Sequence, residues 1–589
     1  MNAGRAIVDV LEAEGVRFVF GLPGGHVLSI YDALYDTPEI THILVRHEQT
    51  AASMAAAYAQ LTGEPGVCLV TAGPGCTNLV SGIAEAYVGS LPVVVVAGRG
   101  ATANAHRGAA QEVATDRIFA PITKWSVRVD RADLIVDILG QAFTIARTGR
   151  PGPVLVEIPR DLADADIPPA AYLPVGPKPR LSADLNRIAN AADALAAAEH
   201  PLIVAGGGTV ASGAFAELRV LAEMLAIPVL TSLAGRGSIS DDHPLSVGGL
   251  GAHRNPLSKR LLAEADVVLG LGCRFEEMET NWKPGSIPAA DACYIQADID
   301  PAEIGRSVSA RIGLVGDIRT VLEQLVAALR ERGRTLPQGD FADHPRTRAA
   351  VAELAHIEAE FAAVADSEQR PINPLRVIRA IRRTFPRETT VAIDVGCIAQ
   401  HIAGGTPFFR VFEPRSLIVP SSFYGMGFAA AALPTARLVY PDRPAVGFVG
   451  DGSFQMVMNV LPVAAEYHLP VTWCVFNDGA LGSIRDIQQY RFSERIIATE
   501  FAVQPDFAKI AQACGCHGER VEDPAEVEEA LRGALDANGR GLPAVLDFAV
   551  APERMLQTLE HYEFYPEQMV ERHRRSSVDA APLGAVQSR

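Results

Sequence analysis

Two short apolar runs, Ala445–Val449 and Val471–Phe476, each stop at an acidic, glycine-bearing turn. The first runs into Gly450-Asp451-Gly452-Ser453, the second into Asn477-Asp478-Gly479-Ala480, and a helical stretch, Met456–Tyr467, separates them. A strand–turn–helix–strand–turn unit demands two parallel strands, a crossover helix, and a site at the carboxyl ends of the strands. Asp451 and Asp478 are 27 positions apart (478 minus 451), each at the end of its strand. Adjacent strands would bring both carboxylates to one edge. Hard oxygen ligands beside a glycine-rich turn suit Mg²⁺ holding a phosphorylated ligand. Asp-Gly and Asn-Gly are also common turn pairs on their own account.

A length of 589 residues predicts three or four domains. With 48% hydrophobic and 21% charged residues, the chain reads as an ordinary soluble protein. Its net charge of −17 argues against a nucleic-acid surface. Eight cysteines show no zinc-type spacing, and the one close pair, Cys514-Gly515-Cys516, reads as core or loop thiols. Met1–Gly15 reads as an amphipathic helix rather than a signal peptide, and no run of about 20 apolar residues occurs. The expectation is a cytoplasmic protein with no nucleic-acid or membrane partner.

Residues 1–170 alternate helix and strand, which predicts a doubly wound parallel sheet. The loop Gly21-Leu22-Pro23-Gly24-Gly25-His26 follows the strand Phe18–Phe20. His47-Glu48 opens an Ala-rich helix, and Gly73-Pro74-Gly75-Cys76-Thr77-Asn78 follows the strand Val67–Thr71. Prolines 174, 177 and 179 mark a linker. A second α/β block covers 183–330, where Gly206-Gly207-Gly208 after Pro201–Ala205 forms a turn able to admit a pyrophosphate. A connector leads to the third α/β block, 375–550, and a tail covers 551–589.

The Gly-Asp-Gly and Asn-Asp-Gly turns, with His47-Glu48-Gln49 between the two glycine loops of the first block, resemble thiamin diphosphate enzymes of the acetolactate synthase type. That family includes acetohydroxyacid synthases, pyruvate oxidases and 2-keto acid decarboxylases. The resemblance runs from about Arg5 to Val550. It implies an α/β fold of three doubly wound parallel-sheet domains. These are a pyrimidine-binding domain (1–170), a central Rossmann-like domain (183–330) and a diphosphate- and Mg²⁺-binding domain (375–550).

The resemblance also implies site residues. Asp451, Asp478 and the Ala480 carbonyl would hold the metal, Asp478 standing where most relatives have Asn. Gly450, Gly452 and Ser453 would line the diphosphate, with Gly25, Tyr424 and Met426 against the rest of the cofactor. Met426 would hold its bent shape, although a methionine there also suits a core. Gly396-Cys397-Ile398 stands where the family has a Gly-Gln-His-Gln-like stretch, so only backbone amides carry over. Glu48 would share a proton with N1′ of the aminopyrimidine. Read alone, it is an acid at a helix start. Gln111, in a Gly/Ala-rich loop, would touch substrate. His26 stands where a small residue is usual, and its ordinary pKa suits it to give and take a proton near neutrality. The alternative for His26 is a solvated loop histidine. FAD is a further candidate ligand, with Gly206, Gly207, Gly208, His253 and Arg274 as its contacts.

The activity implied is Mg²⁺- and thiamin diphosphate-dependent making or breaking of a C–C bond in a 2-keto acid or 2-hydroxy ketone. A homodimer or homotetramer is expected, in which Glu48 of one subunit meets the Asp451 site of another. A decarboxylase or lyase without a second acceptor, a diketone hydrolase, and a silent nucleotide-binding subunit are the alternatives. Intact Glu48 and Asp451 argue against silence. Acetolactate synthases of branched-chain synthesis carry Phe-Asp-Asp-Arg where this chain has Phe275-Glu276-Glu277-Met278, and a Met and a Trp where it has Ser483 and Ile487. Loss of that carboxylate-gripping arginine predicts little preference for 2-ketobutyrate as acceptor.

Overall fold

The computed structural model describes residues 1–169, 172–176, 179–251, 255–280, 282–283, 285–334, 341–396 and 406–552. Cys397, Ile398, His253 and the tail from residue 553 onward therefore lie outside the described residues.

Among the described residues eighteen strands form three six-stranded sheets, and every strand pair within them is parallel. The first sheet holds β1 (Phe18–Leu22), β2 (Thr41–Leu44), β3 (Gly66–Val70), β4 (Val93–Arg99), β5 (Trp125–Arg128) and β6 (Val154–Pro159), in the order β2-β1-β3-β4-β6-β5. The second holds β7 (Pro201–Ala205), β8 (Val229–Thr231), β9 (Ser246–Gly249), β10 (Val267–Leu271), β11 (Cys293–Asp298) and β12 (Ile312–Val315), in the order β12-β11-β10-β7-β8-β9. The third holds β13 (Thr390–Ile393), β14 (Leu417–Ile418), β15 (Ala445–Gly450), β16 (Thr472–Asn477), β17 (His517–Val521) and β18 (Ala544–Ala549), in the order β14-β13-β15-β16-β18-β17.

The first and third sheets share one strand order, and the middle sheet has the dinucleotide-fold order. Parallel strands covered by helices on both faces read as continuous apolar runs, and β3 and β7 are buried at every position. In each sheet the chain reverses direction at one point, where the loops after two neighbouring strands diverge and leave a crevice. That point lies between β1 and β3, between β7 and β10, and between β13 and β15.

The first and third sheets share a core. The Glu48–Thr62 helix packs on the Phe428–Ala432 helix, and one hydrophobic cluster runs from Phe20 and Val70 to Val449 and Trp473. Thr50 donates to Asn459 at 2.9 Å, and the Tyr467 hydroxyl accepts the Leu44 N–H at 2.8 Å across the same junction.

One expected element differs. The helix expected over Met456–Tyr467 is shorter, Val460–Glu466, and a separate short helix, Asp451–Gln455, forms where a turn was expected. That short helix starts at Asp451 because the Gly450 backbone is still extended, so the helix amino end faces the strand edge. Among the described residues no helix is long and apolar enough to cross a membrane.

Candidate active site

The loops after β1, β2, β3 and β4 converge above the first sheet's crevice. His26 follows β1, Glu48 follows β2, Thr71 to Asn78 follow β3, and Gln111 lies in the loop after β4. Glu48 is the first residue of its helix and is 6% exposed. Asn78 Nδ2 donates to its Oε2 at 2.8 Å. The His47 Nδ1 accepts from the Gln49 N–H at 3.2 Å, which fixes the helix start.

A Cβ on Gly75 would stand 3.6 Å from Glu48 Oε1 and 2.9 Å from Thr71 Cγ2. Gly24 lies so close to Thr71 that a Cβ would come within 2.6 Å of it, whereas Gly25 faces open space. The packing demand for glycine in this loop therefore falls on Gly24. His26 Nδ1 is 3.4 Å from Thr71 Oγ1, and its ring also bonds the Gln111 side chain. Burial and the nearby Arg160 hold the His26 pKa below its usual value, and the Gln111 bond opposes them. His26 is half-buried. Gln111 takes a left-handed backbone (φ +62°) and packs on Gly73, itself at φ +57°. Lys124 and Trp125, near the same loop in sequence, lie apart from the site. Lys124 precedes β5 and bonds the Ile145 and Thr148 carbonyls, closing the end of the Ile135–Arg147 helix.

The third sheet repeats the plan. Asp394 follows β13, the loop to Met426 follows β14, Asp451 follows β15 and Asp478 follows β16. Register pairs Gly450 with Phe476, so Asp451 is level with Asn477 and Asp478 stands one residue beyond. Asn477 turns away to donate to Asp547 at 2.9 Å. Asp451, 1% exposed, accepts from the Gly452 N–H at 2.9 Å, the Gly479 N–H at 3.1 Å, and Gln504 Nε2. Burial, then the Asp478 carboxylate, push its pKa up to about 7. Burial also raises that of Asp478, against the Arg485 guanidinium 2.8 Å away.

Two buried carboxylates side by side, one of which raises the proton affinity of the other, form a site poised for a cation. The Ala480 carbonyl beside them receives no hydrogen bond among the described residues. No cluster of three or more His, Cys, Asp or Glu side chains suited to a metal exists among those residues. The donor set of two carboxylates and a carbonyl fits Mg²⁺ whose shell is completed by phosphate oxygens and water.

Around this pair the remaining residues fall into place. A Cβ on Gly452 would meet Leu481, Met426 Cε and Phe501 at 2.9, 3.6 and 3.6 Å, so Met426 ends beside the Asp451 turn. Ser453 Oγ donates to the Val395 carbonyl at 3.0 Å. Gly450 and Gly396, the latter at φ +134°, face open space. Tyr424 has a left-handed backbone (φ +57°).

Several residues that shape the site were not legible as such. Asn78 and Thr71 carry no motif beyond their glycine loop. Asp394, fully buried, accepts from the Val395, Gly427 and Ala430 N–H groups at 2.8–2.9 Å and so fixes the turn after Met426. Its place after the β13 run was the available signal. Gln504 and Arg485 reach the carboxylates from distant or helical positions.

A cavity of about 960 Å³ opens at the middle sheet's crevice. Gly207, Gly208, Arg150, Arg274, Asp298 and Tyr424 line it. Gly206 and Gly208 lie against the Gly272 turn, where a Cβ would meet backbone at 2.2 and 2.7 Å. Arg274 pairs with Glu276 at 2.9 Å and donates to the Val88 carbonyl at 2.9 Å, tying the middle sheet to the first.

Comparison with known proteins agrees with this layout. Family models of the thiamine pyrophosphate enzymes match in chain order: the N-terminal TPP binding domain over residues 1–118, the central domain over 188–325 and the C-terminal TPP binding domain over 394–548. The chain is 37% identical over 571 residues to a probable acetolactate synthase large subunit of Methanocaldococcus jannaschii, covering 94% of this chain and 93% of that protein. It is 35% identical over 563 residues to an acetolactate synthase large subunit of Mycobacterium tuberculosis, covering 94% and 88%. It is also 35% identical over 545 residues to the acetolactate synthase isozyme 3 large subunit of Escherichia coli, covering 91% and 92%.

Proposed function

The chain belongs to the thiamin diphosphate enzymes of the acetolactate synthase-like family, and on that premise we propose a short, pyruvate-like 2-keto acid as its substrate. Its chemistry is thiamin diphosphate- and Mg²⁺-dependent making or breaking of C–C bonds. When bound, the cofactor supplies a nucleophilic carbon and a sink for the electron pair left at the keto carbon. We take residues 1–170, 183–330 and 375–550 as the pyrimidine, central and diphosphate domains.

Asp451, Asp478 and the Ala480 carbonyl hold the metal, and Gly450, Gly452 and Ser453 receive the diphosphate with the backbone at Gly396. Met426, beside the Asp451 turn, would buttress the cofactor, and Tyr424 and Gly25 would help to hold it. Glu48, oriented by Asn78, holds a proton at the pyrimidine N1′ position. His26, held by Thr71 and Gln111, moves a proton at the substrate, and Gln111 orients it. The observation that carries this reading is the matched pair of strand-end groups, Glu48 on one sheet and Asp451 with Asp478 on another of the same strand order.

Among the described residues no hydrogen bond or ion pair joins the Glu48 group to the Asp451 group within one chain. Apolar side chains are exposed near both: Leu28 and Val113 at the first, Met456, Ile484 and Val503 at the second. We therefore propose a homodimer as the smallest active unit, each site taking Glu48 from one chain and Asp451 from the other. Seven described cysteines are unpaired, which suits the cytoplasm.

Incubating the protein with thiamin diphosphate, Mg²⁺ and a panel of 2-keto acids, with carbon dioxide and product detection, tests the proposal. Carbon dioxide release from pyruvate with a C–C-coupled product is expected, with no preference for 2-ketobutyrate as acceptor. No turnover of any 2-keto acid would refute the substrate reading. The polar contacts of His26 favour a second reading, a decarboxylase or lyase that releases the free aldehyde, and the product distinguishes the two. For the central cavity we propose a dinucleotide such as FAD, supported by its volume, by Arg150 and Arg274 among the arginines that line it, and by the turn at Gly207 and Gly208. Absence of any extractable flavin or nucleotide from the purified protein would count against it.

A further inference from the structure

Glu85 lies inside the Val80–Val88 helix of the pyrimidine domain, at 1% exposure, and none of the roles above uses it. Its neighbours Ile83, Ala84 and Ala86 are buried and apolar. A carboxylate in such a place is costly unless its oxygens are satisfied. They are satisfied from another domain: Oε1 accepts the Ser421 N–H, and Oε2 accepts the Gly425 N–H at 3.2 Å. Both amides belong to the loop that leads from β14 to Met426. The loop's far end is held by a second buried acid, Asp394, through the Gly427 and Ala430 N–H groups, each at 2.9 Å. Between the two grips the chain passes through left-handed conformations at Tyr424 and Gly427 (φ +57° and +83°), puts Tyr424 on the wall of the central cavity, and sets Met426 beside Gly452. Two N–H groups met by two oxygens require a carboxyl group, because an amide would turn its NH₂ toward one of them.

We propose that Glu85 is a positioning residue for the cofactor site: through Ser421 and Gly425, a chain's own pyrimidine domain sets where its Met426 stands against the Asp451 turn. This rests on the reading of Met426 as the cofactor's buttress. One pyrimidine domain then has two outputs. Glu85 shapes the cofactor site of its own chain, while Glu48 acts on the site of the partner.

The test is Glu85→Gln in the full-length enzyme, with thiamin diphosphate, Mg²⁺ and the 2-keto acid turned over by the wild type. The expected result is a kcat lower by about 10- to 100-fold, the scale for a small misplacement near the chemistry. KM should be unchanged, and cofactor C2–H exchange, read by NMR, should slow in step. In a double-mutant cycle with Met426→Ala, Glu85→Gln should add little to the single Met426 effect, since both act through one group. Wild-type kcat and exchange in Glu85→Gln, or effects that multiply in the cycle, would overturn the proposal. Should Glu85→Gln fail to fold, Glu85→Asp, whose shorter arm reaches only one amide, is read in the same way. A wild type without cofactor-dependent turnover or C2–H exchange would instead overturn the function proposed above, and this inference with it.

Discussion

Glu48 and Glu85 are both buried acids of the pyrimidine domain, yet their surroundings give them different work. Glu48 stands at a helix start with one oxygen bonded to Asn78 and the other beside Gly75. Glu48→Gln should keep the fold and most cofactor affinity but slow C2–H exchange by orders of magnitude, because an amide cannot share a proton at N1′. Exchange at the wild-type rate in NMR would reduce Glu48 to a helix-start acid. His26→Ala should lower turnover by about 10²-fold, the usual scale for a positioned proton carrier, and remove one limb of the pH–rate profile. Near wild-type turnover with the same profile would return it to a loop histidine. Glu85 makes a pH prediction. Burial pushes its carboxyl from 4.5 up to about 7, the Ser421 and Gly425 amides pull it back, and Asp394 adds to the rise. The native state then holds a proton that the unfolded chain releases, so this contribution to stability is full below about pH 4.5 and is lost as pH rises through about 7. Unfolding free energies of wild type minus Glu85→Gln, from urea titrations, should fall across that window. A difference flat in pH would contradict the shift.

At the scale of elements, the turn after Met426 is the most exposed to substitution. Gly427 has φ +83°, and a Cβ there would meet Val457 Cγ1 at 2.8 Å and the Ser453 carbonyl at 3.2 Å. Gly427→Ala should cost about 1–3 kcal/mol through backbone strain, more if the Ser453 turn has to move. It should also weaken cofactor binding, since Ser453 and Met426 flank the Asp451 turn. Thermal unfolding and fluorescence titration with thiamin diphosphate read the two effects. Unchanged values for both would show that the turn tolerates a side chain. The separate short helix at Asp451–Gln455, ahead of the expected one, belongs to this scale as well. Apolar periodicity finds helical residues but cannot see that Gly450 leaves the chain extended and starts a short helix at Asp451 itself.

For the whole molecule, the proposal to test is that two sheets of like strand order carry the halves of a site joined only between chains. Asp451→Ala should abolish Mg²⁺-dependent binding of thiamin diphosphate, leaving each homodimer of that variant inactive. Mixing it with Glu48→Gln, after dissociation and reassembly, should restore about a quarter of wild-type activity. Random pairing makes half the dimers mixed, and each of these has one intact site of two. No recovery, with mixed dimers shown to form, would place both residues of a site in the same chain.

Much of this was fixed locally. Strand-end acids, glycine turns and apolar runs are short-range signals, so the three parallel sheets, the Asp451–Asp478 edge and the glycine loops around Glu48 could be read directly from the chain. Side-chain partnership between segments far apart in sequence could not, because it depends on how the sheets dock. Asn78 meets Glu48 across 30 residues, Gln504 meets Asp451 across 53, and Glu85 meets Gly425 across 340. Residue types at these positions are unremarkable on their own. Only the tertiary structure decides that an acid inside an apolar helix has two amides of another domain to satisfy it, since burial makes each unmet polar group costly and so selects the docking that meets them all.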